Sequence, residues 1–287
     1  MLPTFVLFLR EGLEASLVVS ILFATLRQLG QLRQMRAVWM GVALAVLGSL
    51  GGAAVIFFTV RQYDDTRGQM IFETVTYLVA VVLLTYMTFW MQRHSRTLKK
   101  EIAAKAGMAG SGFAFGLLAF TTVGREGLES AVFTLAFAFQ TDGALLILGG
   151  LLGIAAAILL CVMIYRLGYR LDYRIFFRVM GILLLFFAAG LLGNAIQNVQ
   201  ELGWLNLGTV QLWNTSHILS QASPLGDLMH GLMGYSEAPT LLQAFGYVAY
   251  LAVAGALFWR LTRKPPQALQ QASGSTPASS TVATEPA

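Results

Sequence analysis

The chain has 287 residues, 56% of them hydrophobic and only 11% charged, with a formal net charge of +5 and a mean hydropathy of +0.67. That composition excludes an ordinary soluble globular domain and describes an integral membrane protein. A single cysteine, Cys161, rules out an intrachain disulfide and a multi-cysteine metal site.

Seven apolar runs of bilayer-spanning length are read in chain order, at about 2–26, 37–59, 70–91, 111–139, 144–165, 176–194 and 241–259. The opening "MLPTFVLFLREGLEAS" has no basic leader and carries charges where a signal peptide is apolar, so it is expected to stay as the first span. Alternate loops are basic. Arg27, Arg33 and Arg36 follow span one; Arg93, Arg96, Lys99, Lys100 and Lys105 follow span three; Arg166, Arg170, Arg174 and Arg178 precede span six; and Arg260, Arg263 and Lys264 end span seven. The opposite loops hold only Arg61 and Arg67. Fifteen against two predicts an outside N-terminus and a cytoplasmic C-terminus in the cytoplasmic membrane. The bias accounts for the positive net charge, which therefore gives no support to a nucleic-acid partner.

The longest loop lies between spans six and seven, where no lysine or arginine occurs from Val179 to Trp259. Its Glu201, His217, Asp227, His230 and Glu237 read either as an acidic vestibule for cations or as the plain consequence of the charge bias. The histidines and Glu237 lack metal-ligand spacing and are assigned to loop hydrogen bonding. The stretch "GWLNLGTVQLWNTSHILS" is expected to form a short interfacial helix. Residues 265–287, rich in Pro, Ser, Thr and Ala, are expected to be a disordered cytoplasmic tail.

The remaining two basic residues, Arg10 and Arg125, fall inside spans, and each opens the same word: REGLE at 10–14 and again at 125–129. The copies lie in spans one and four, three spans apart, and an odd number of spans per repeat inverts the second copy. The predicted fold is thus an all-α membrane protein of seven helices. It comprises a three-helix repeat (1–100), a second, inverted repeat (101–200), an outer loop (201–240), a seventh helix (241–264) and the tail. Residues 67–78 and 171–183 extend the match weakly.

On a helix each residue advances about 100°, so Glu11 and Glu14 lie about 60° apart and one turn along, as do Glu126 and Glu129. Their carboxylates can converge on one object. Arg10 with Glu14, and Arg125 with Glu129, form i,i+4 pairs. Gly12 with Ser16, and Gly127 with Ala131, present a different, small-residue face for helix packing. Four glutamates against two arginines leave an excess of about two negative charges, which calls for a multivalent cation or for protons. Carboxylate oxygens suit hard ions such as Fe(III), Fe(II), Mn, Mg or Ca. Glu73, near the outer end of span three, reads as either an entry ligand or an interfacial cap, and Met87, Met91 and Met163 are assigned to packing. Nothing resembling a nucleotide-binding loop or a nucleophile elbow occurs, so neither an ATP-driven pump nor an enzyme is expected.

With these residues the chain resembles the high-affinity iron permeases of fungi and bacteria, whose hallmark is a duplicated REGLE in the first and fourth membrane helices. The bacterial, EfeU-like branch is nearest by length and plan. "TYMTFWM" at 85–91, "LWNTS" at 212–216 and "GDLMHGLMGY" at 226–235 extend the likeness. The resemblance implies iron uptake, with Glu11, Glu14, Glu126 and Glu129 as ligands and Arg10 and Arg125 as their electrostatic partners. It also implies iron as a transported substrate rather than a resident cofactor, and extracytoplasmic partners that bind or oxidise iron. An oligomer is compatible with it. A relative specialised for lead carries the same motif, so another heavy-metal cation stays open. So do an intramembrane metal-binding redox subunit, which calls for histidine ligands, and a scaffold in which the charges only hold helices together.

Overall fold

A computed structural model describes residues 1–61, 67–94, 104, 111–139, 142–167, 173–218, 220, 223, 225–226, 229–230 and 234–263. The C-terminal tail, Asp227 and much of the basic clusters at 95–110 and 166–174 lie outside these residues. Most of the described chain is helical, the 202–240 segment being largely turns and extended chain. Seven long helices are α1 (Leu2–Gln28), α2 (Met35–Arg61), α3 (Arg67–His94), α4 (Gly112–Ala138), α5 (Gly143–Leu167), α6 (Tyr173–Glu201) and α7 (Leu241–Arg263). A 3₁₀ turn, Leu32–Gln34, precedes α2. At 23 to 29 residues each is long enough for a hydrocarbon core of about 30 Å. Segments within α2, α3, α5, α6 and α7 are also apolar enough to cross a membrane, the first reaching back into the 3₁₀ turn. α1 and α4 carry the REGLE charges in their middles.

Helix starts are written locally. Pro3 sits in the first turn of α1, where no backbone N–H is missed. The Ser111 hydroxyl accepts from the Ala114 N–H to cap α4, and the Asp142 carboxylate accepts from the Ala144 N–H at 2.9 Å to open α5. α6 runs seven residues beyond the apolar run, because its polar last turns find partners: Gln197 donates to Glu201 at 2.9 Å, and Arg67 donates to the Leu202 carbonyl.

The most extensive pairings are α2 with α4, α1 with α5 and α3 with α6, followed by α6 with α7 and α1 with α4. α1 and α5 run parallel, with Met1 and Thr4 beside Gly149, Phe5 beside Gly153 and Gly12 beside Ala157. α2 and α4 also run parallel, through Ala37 with Gly116, Gly41 with Ala119 and Ser49 with Gly127. α3 and α6 are antiparallel: Asn198 meets Glu73 at one end, and Gln92 donates to the Phe177 carbonyl at the other.

The largest core cluster draws Val6 and Leu7 of α1, Tyr77, Ala80 and Leu84 of α3, Phe133 and Phe137 of α4, and Leu184, Phe187 and Leu191 of α6 into one body. A second joins Val18, Leu22 and Leu26 of α1 to Val38, Phe115 and Ala119. α2, α5 and α7 turn rows of leucine, valine and isoleucine outward, such as Leu44, Leu47, Ile147, Leu151, Val248 and Val253. On a membrane protein this is the surface that lipid covers.

Residues 203–218 form no helix, contrary to the interfacial helix expected from their apolar spacing. They run as turns and extended chain paired with the approach to α7: Gln211 bridges Thr240, Thr215 donates its N–H to the Glu237 carbonyl at 2.8 Å, and Leu241 donates to Val210 at 2.9 Å. This ribbon satisfies the backbone in place of a helix. Beyond it the segment returns inward. Gly234, at φ 63°, rests against Gly190, so that a Cβ on Gly234 would overlap the Gly190 Cα. Gly190 lies eleven residues before the end of α6, about 16 Å along its axis. The segment therefore dips alongside the bundle rather than lying on its end.

The glycine contacts generate a test. A Cβ on Gly41 would overlap the Gly116 carbonyl, and one on Gly153 would sit 2.6 Å from the Phe5 carbonyl oxygen, whereas Gly48 faces open space. Gly41→Ala and Gly153→Ala are expected to lower stability by about 1–3 kcal/mol each. Gly48→Ala is expected to be neutral or slightly stabilising. Thermal denaturation in detergent reads all three.

Candidate metal centre

Both REGLE words occupy the middles of their helices, and α1 and α4 pack against each other. A helix satisfies its own backbone there, so only the side chains need partners. Each copy supplies one internally: Arg10 Nε donates to Glu14 Oε1 at 2.9 Å, and Arg125 Nε donates to Glu129 Oε1 at 2.9 Å. These are the i,i+4 pairs that the spacing predicts.

The tertiary structure then treats the copies differently. Arg10 is 2% exposed, with its Nη1 3.4 Å from Glu11 Oε1, so a single guanidinium faces both glutamates of its own word. The Arg125 side chain is 44% exposed. Its Nη2 donates to the Met87 sulfur at 3.3 Å, and its guanidinium carbon lies 5.0 Å from the centre of the Trp90 ring.

Carboxylate oxygens of Glu11, Glu126 and Glu129 all lie within 4.8 Å of one another. Glu11 and Glu126 come together across the α1–α4 contact. Glu14 is buried and is held by Arg10 rather than joining this trio. Both Glu11 oxygens, Glu126 Oε2 and Glu129 Oε2 are buried without a hydrogen-bond donor. Buried carboxylate oxygens with no donor are costly, and a cation coordinated among them removes that cost. Three oxygens from two helices at this spacing can enclose a hard or borderline cation. Among the described residues no histidine joins the group.

The glycines of the motif do what their small size permits. A Cβ on Gly12 would lie 2.8 Å from that of Ala157 on α5, and one on Gly127 would run into the Ser49 side chain on α2. Each glycine thus brings α1 or α4 against a helix of the opposite half of the chain.

Glu73 stands apart from the trio. Gln69 donates to one of its oxygens at 3.1 Å and Asn198 to the other at 3.5 Å, and Glu201 lies within electrostatic range. The sequence shows Glu201 only as a loop acid, because the proximity depends on the α3–α6 pairing. His230 donates from Nδ1 to the Tyr235 carbonyl at 2.7 Å, and the Thr215 and Tyr235 hydroxyls are hydrogen bonded. Sequence reasoning assigned Met87 to packing and gave Trp90 no role. The clue was "TYMTFWM" itself, a sulfur and an indole three residues apart on one helix face.

Removing Arg10 would leave two buried carboxylates without their counter-charge. Arg10→Gln is expected to cost about 3–5 kcal/mol, with Glu14→Gln in the same chain recovering much of the loss. Arg125→Gln, at a half-exposed site, is expected to cost well under half as much. Unfolding midpoints in detergent, compared across the three variants, check the ordering.

Comparison with known proteins points the same way. The family model described as the iron permease FTR1 family matches residues 1–262. The chain is 38% identical over 268 residues to a protein named ferrous iron permease EfeU from Yersinia pseudotuberculosis, covering 90% of this chain and 93% of that one. It is 37% identical over 257 residues to the protein of the same name from Escherichia coli O157:H7, covering 88% and 92%. No solved structure matches. The chain belongs to the FTR1 iron permease family.

Proposed function

We propose that this chain is a multi-pass permease of the cytoplasmic membrane that carries iron inward, binding it among the carboxylates of the two REGLE words. The carrying observation is the gathering of Glu11, Glu126 and Glu129 oxygens within 4.8 Å in the middle of the bundle. Glu14, tied to Arg10, is the fourth carboxylate, and the same guanidinium also reaches Glu11 of the trio. The names of the relatives, ferrous iron permeases, favour Fe(II) as substrate.

Transport through two inverted repeats is supported by the packing. Exchanging α1 with α4, α2 with α5 and α3 with α6 turns the α1–α5 pairing into the α4–α2 pairing and leaves the α1–α4 and α3–α6 pairings in place. The exchange also carries Gly12 against α5 onto Gly127 against α2. Such halves are related by an axis in the membrane plane, and rocking one against the other exposes a central site to each side in turn. On this reading all seven helices cross the bilayer, the N-terminus lies outside, and the 202–240 segment borders the outer approach. A divalent ion moving inward across 100 mV, negative inside, gains about 4.6 kcal/mol. A metal-dependent redox subunit fits less well, since it calls for histidines beside the carboxylates.

Ferrous uptake into proteoliposomes with an imposed inside-negative potential tests the proposal. Glu11→Gln, Glu126→Gln and Glu129→Gln are each expected to cut uptake at limiting iron by at least about tenfold, with assembly unchanged. Undiminished uptake in all three sinks the carboxylate site.

A further inference from the structure

The two motif arginines share one intrahelical contact and then diverge. Arg10 spends its charge on the glutamates of its own word, whereas Arg125 reaches outside REGLE to α3, where it meets a thioether and an indole face. Neither group on α3 carries a formal charge. Met87 is buried at 1% exposure and fixed by packing within the α3 face that also presents Trp90. Arg125 meanwhile lies within electrostatic range of Glu126 and Glu14 as well as Glu129. A guanidinium this close to the trio has an alternative resting place, on the oxygens that a cation would occupy.

We propose that Met87 and Trp90 form a dock that holds the Arg125 guanidinium to one side of the carboxylate trio, so that Glu129 keeps its Oε1 on the arginine and turns its Oε2 to the transported ion. Trp90 is then a positioning residue for transport, acting through Arg125. This rests on the carboxylate site proposed above. The physical reason is competition. An arginine and a metal cation want the same oxygens, and a neutral partner that attracts guanidinium without neutralising carboxylate favours the metal. The face of an indole does this through its quadrupole, and the Met87 sulfur accepts an N–H. The arginine on α1 has no such dock: Arg10 is surrounded on its own helix by Glu11 and Glu14, and its Nη1 and Nη2 lack hydrogen-bond acceptors. The Glu129 Oε2 without a donor is the complementary observation on α4.

The test is the concentration dependence of ferrous uptake in proteoliposomes for wild type, Trp90→Leu, Trp90→Phe, Met87→Leu, Arg125→Gln and Trp90→Leu with Arg125→Gln. Trp90→Leu is expected to raise the half-saturating concentration about fivefold with the maximal rate within about twofold of wild type. Trp90→Phe, which keeps an aromatic face, stays within about twofold, and Met87→Leu moves in the same direction as Trp90→Leu by less. The decisive comparison is the double variant. Once Arg125 is gone there is nothing to dock, so Trp90→Leu adds no further shift. An unchanged half-saturation in Trp90→Leu, or an equal increment on top of Arg125→Gln, overturns the proposal. If Trp90→Leu assembles poorly, a fluorinated tryptophan at position 90 weakens the ring face at almost constant shape; a half-saturation that does not rise with fluorination likewise overturns it. Glu11→Gln in the same assay separates the two readings. Intact uptake there removes the carboxylate site and this proposal together, whereas lost uptake with an Arg125-independent Trp90 effect removes this proposal alone.

Discussion

A chargeable side chain in the middle of a helix packed inside a bundle must find a partner, and the arrangement of this protein follows from how six of them do so. Helices satisfy the backbone without water, leaving Arg10, Glu11, Glu14, Arg125, Glu126 and Glu129 as the unsettled groups. Two i,i+4 pairs settle four of them within their own helices. Glu11 shares the Arg10 guanidinium at a longer 3.4 Å, and the packing of α1 on α4 brings it together with Glu126 and one oxygen of Glu129. Carboxylates concentrated in this way are costly to bury until a cation or protons join them. Under the proposed function the same cost favours a multivalent cation at this site.

Close helix approach makes the concentration possible. Gly12 against Ala157, Gly127 against Ser49, Gly41 against Gly116 and Gly153 against Phe5 leave no room for a side chain at four separate contacts. They pull α5 onto α1 and α2 onto α4, the two helices that carry the REGLE words being α1 and α4. Association inside a bilayer draws little on the hydrophobic effect, so van der Waals contact at small residues carries it instead. The outward rows of leucine and valine on α2, α5 and α7 belong to the same division, with lipid outside and charge inside.

The two words are alike locally and unlike in their surroundings. Arg10 is enclosed, while Arg125 is half exposed against Trp90 and Met87. In a chain whose halves exchange so evenly in their pairings, this is where the exchange breaks down. Under the proposed mechanism such a difference belongs to one stage of an alternating cycle, the two halves offering the same carboxylates from unequal environments. The 202–240 segment adds a further inequality: among the described residues it has no counterpart in the first half, and its Gly234 rests beside Gly190 of α6.

The sequence by itself determined whatever depends on near neighbours in the chain. Apolar runs of spanning length made the seven helices, and Ser111, Asp142 and Pro3 placed some of their starts. Spacing alone fixed the Arg10–Glu14 and Arg125–Glu129 pairs, because contacts four residues apart on a helix need no tertiary information. The interfacial helix at 203–218 was misread for the complementary reason: its extended course is set by residues 237–242, more than twenty positions away, and periodicity carries no record of such a partner. Tertiary structure alone decided that Glu11, Glu126 and Glu129 meet while Glu14 stays with Arg10, that Glu73 lies near Glu201, and that Arg125 rests on Trp90. Each of those outcomes depends on the rotation and depth of one helix against another. A rotation of a few tens of degrees changes which carboxylate faces inward without altering any local pattern the sequence displays.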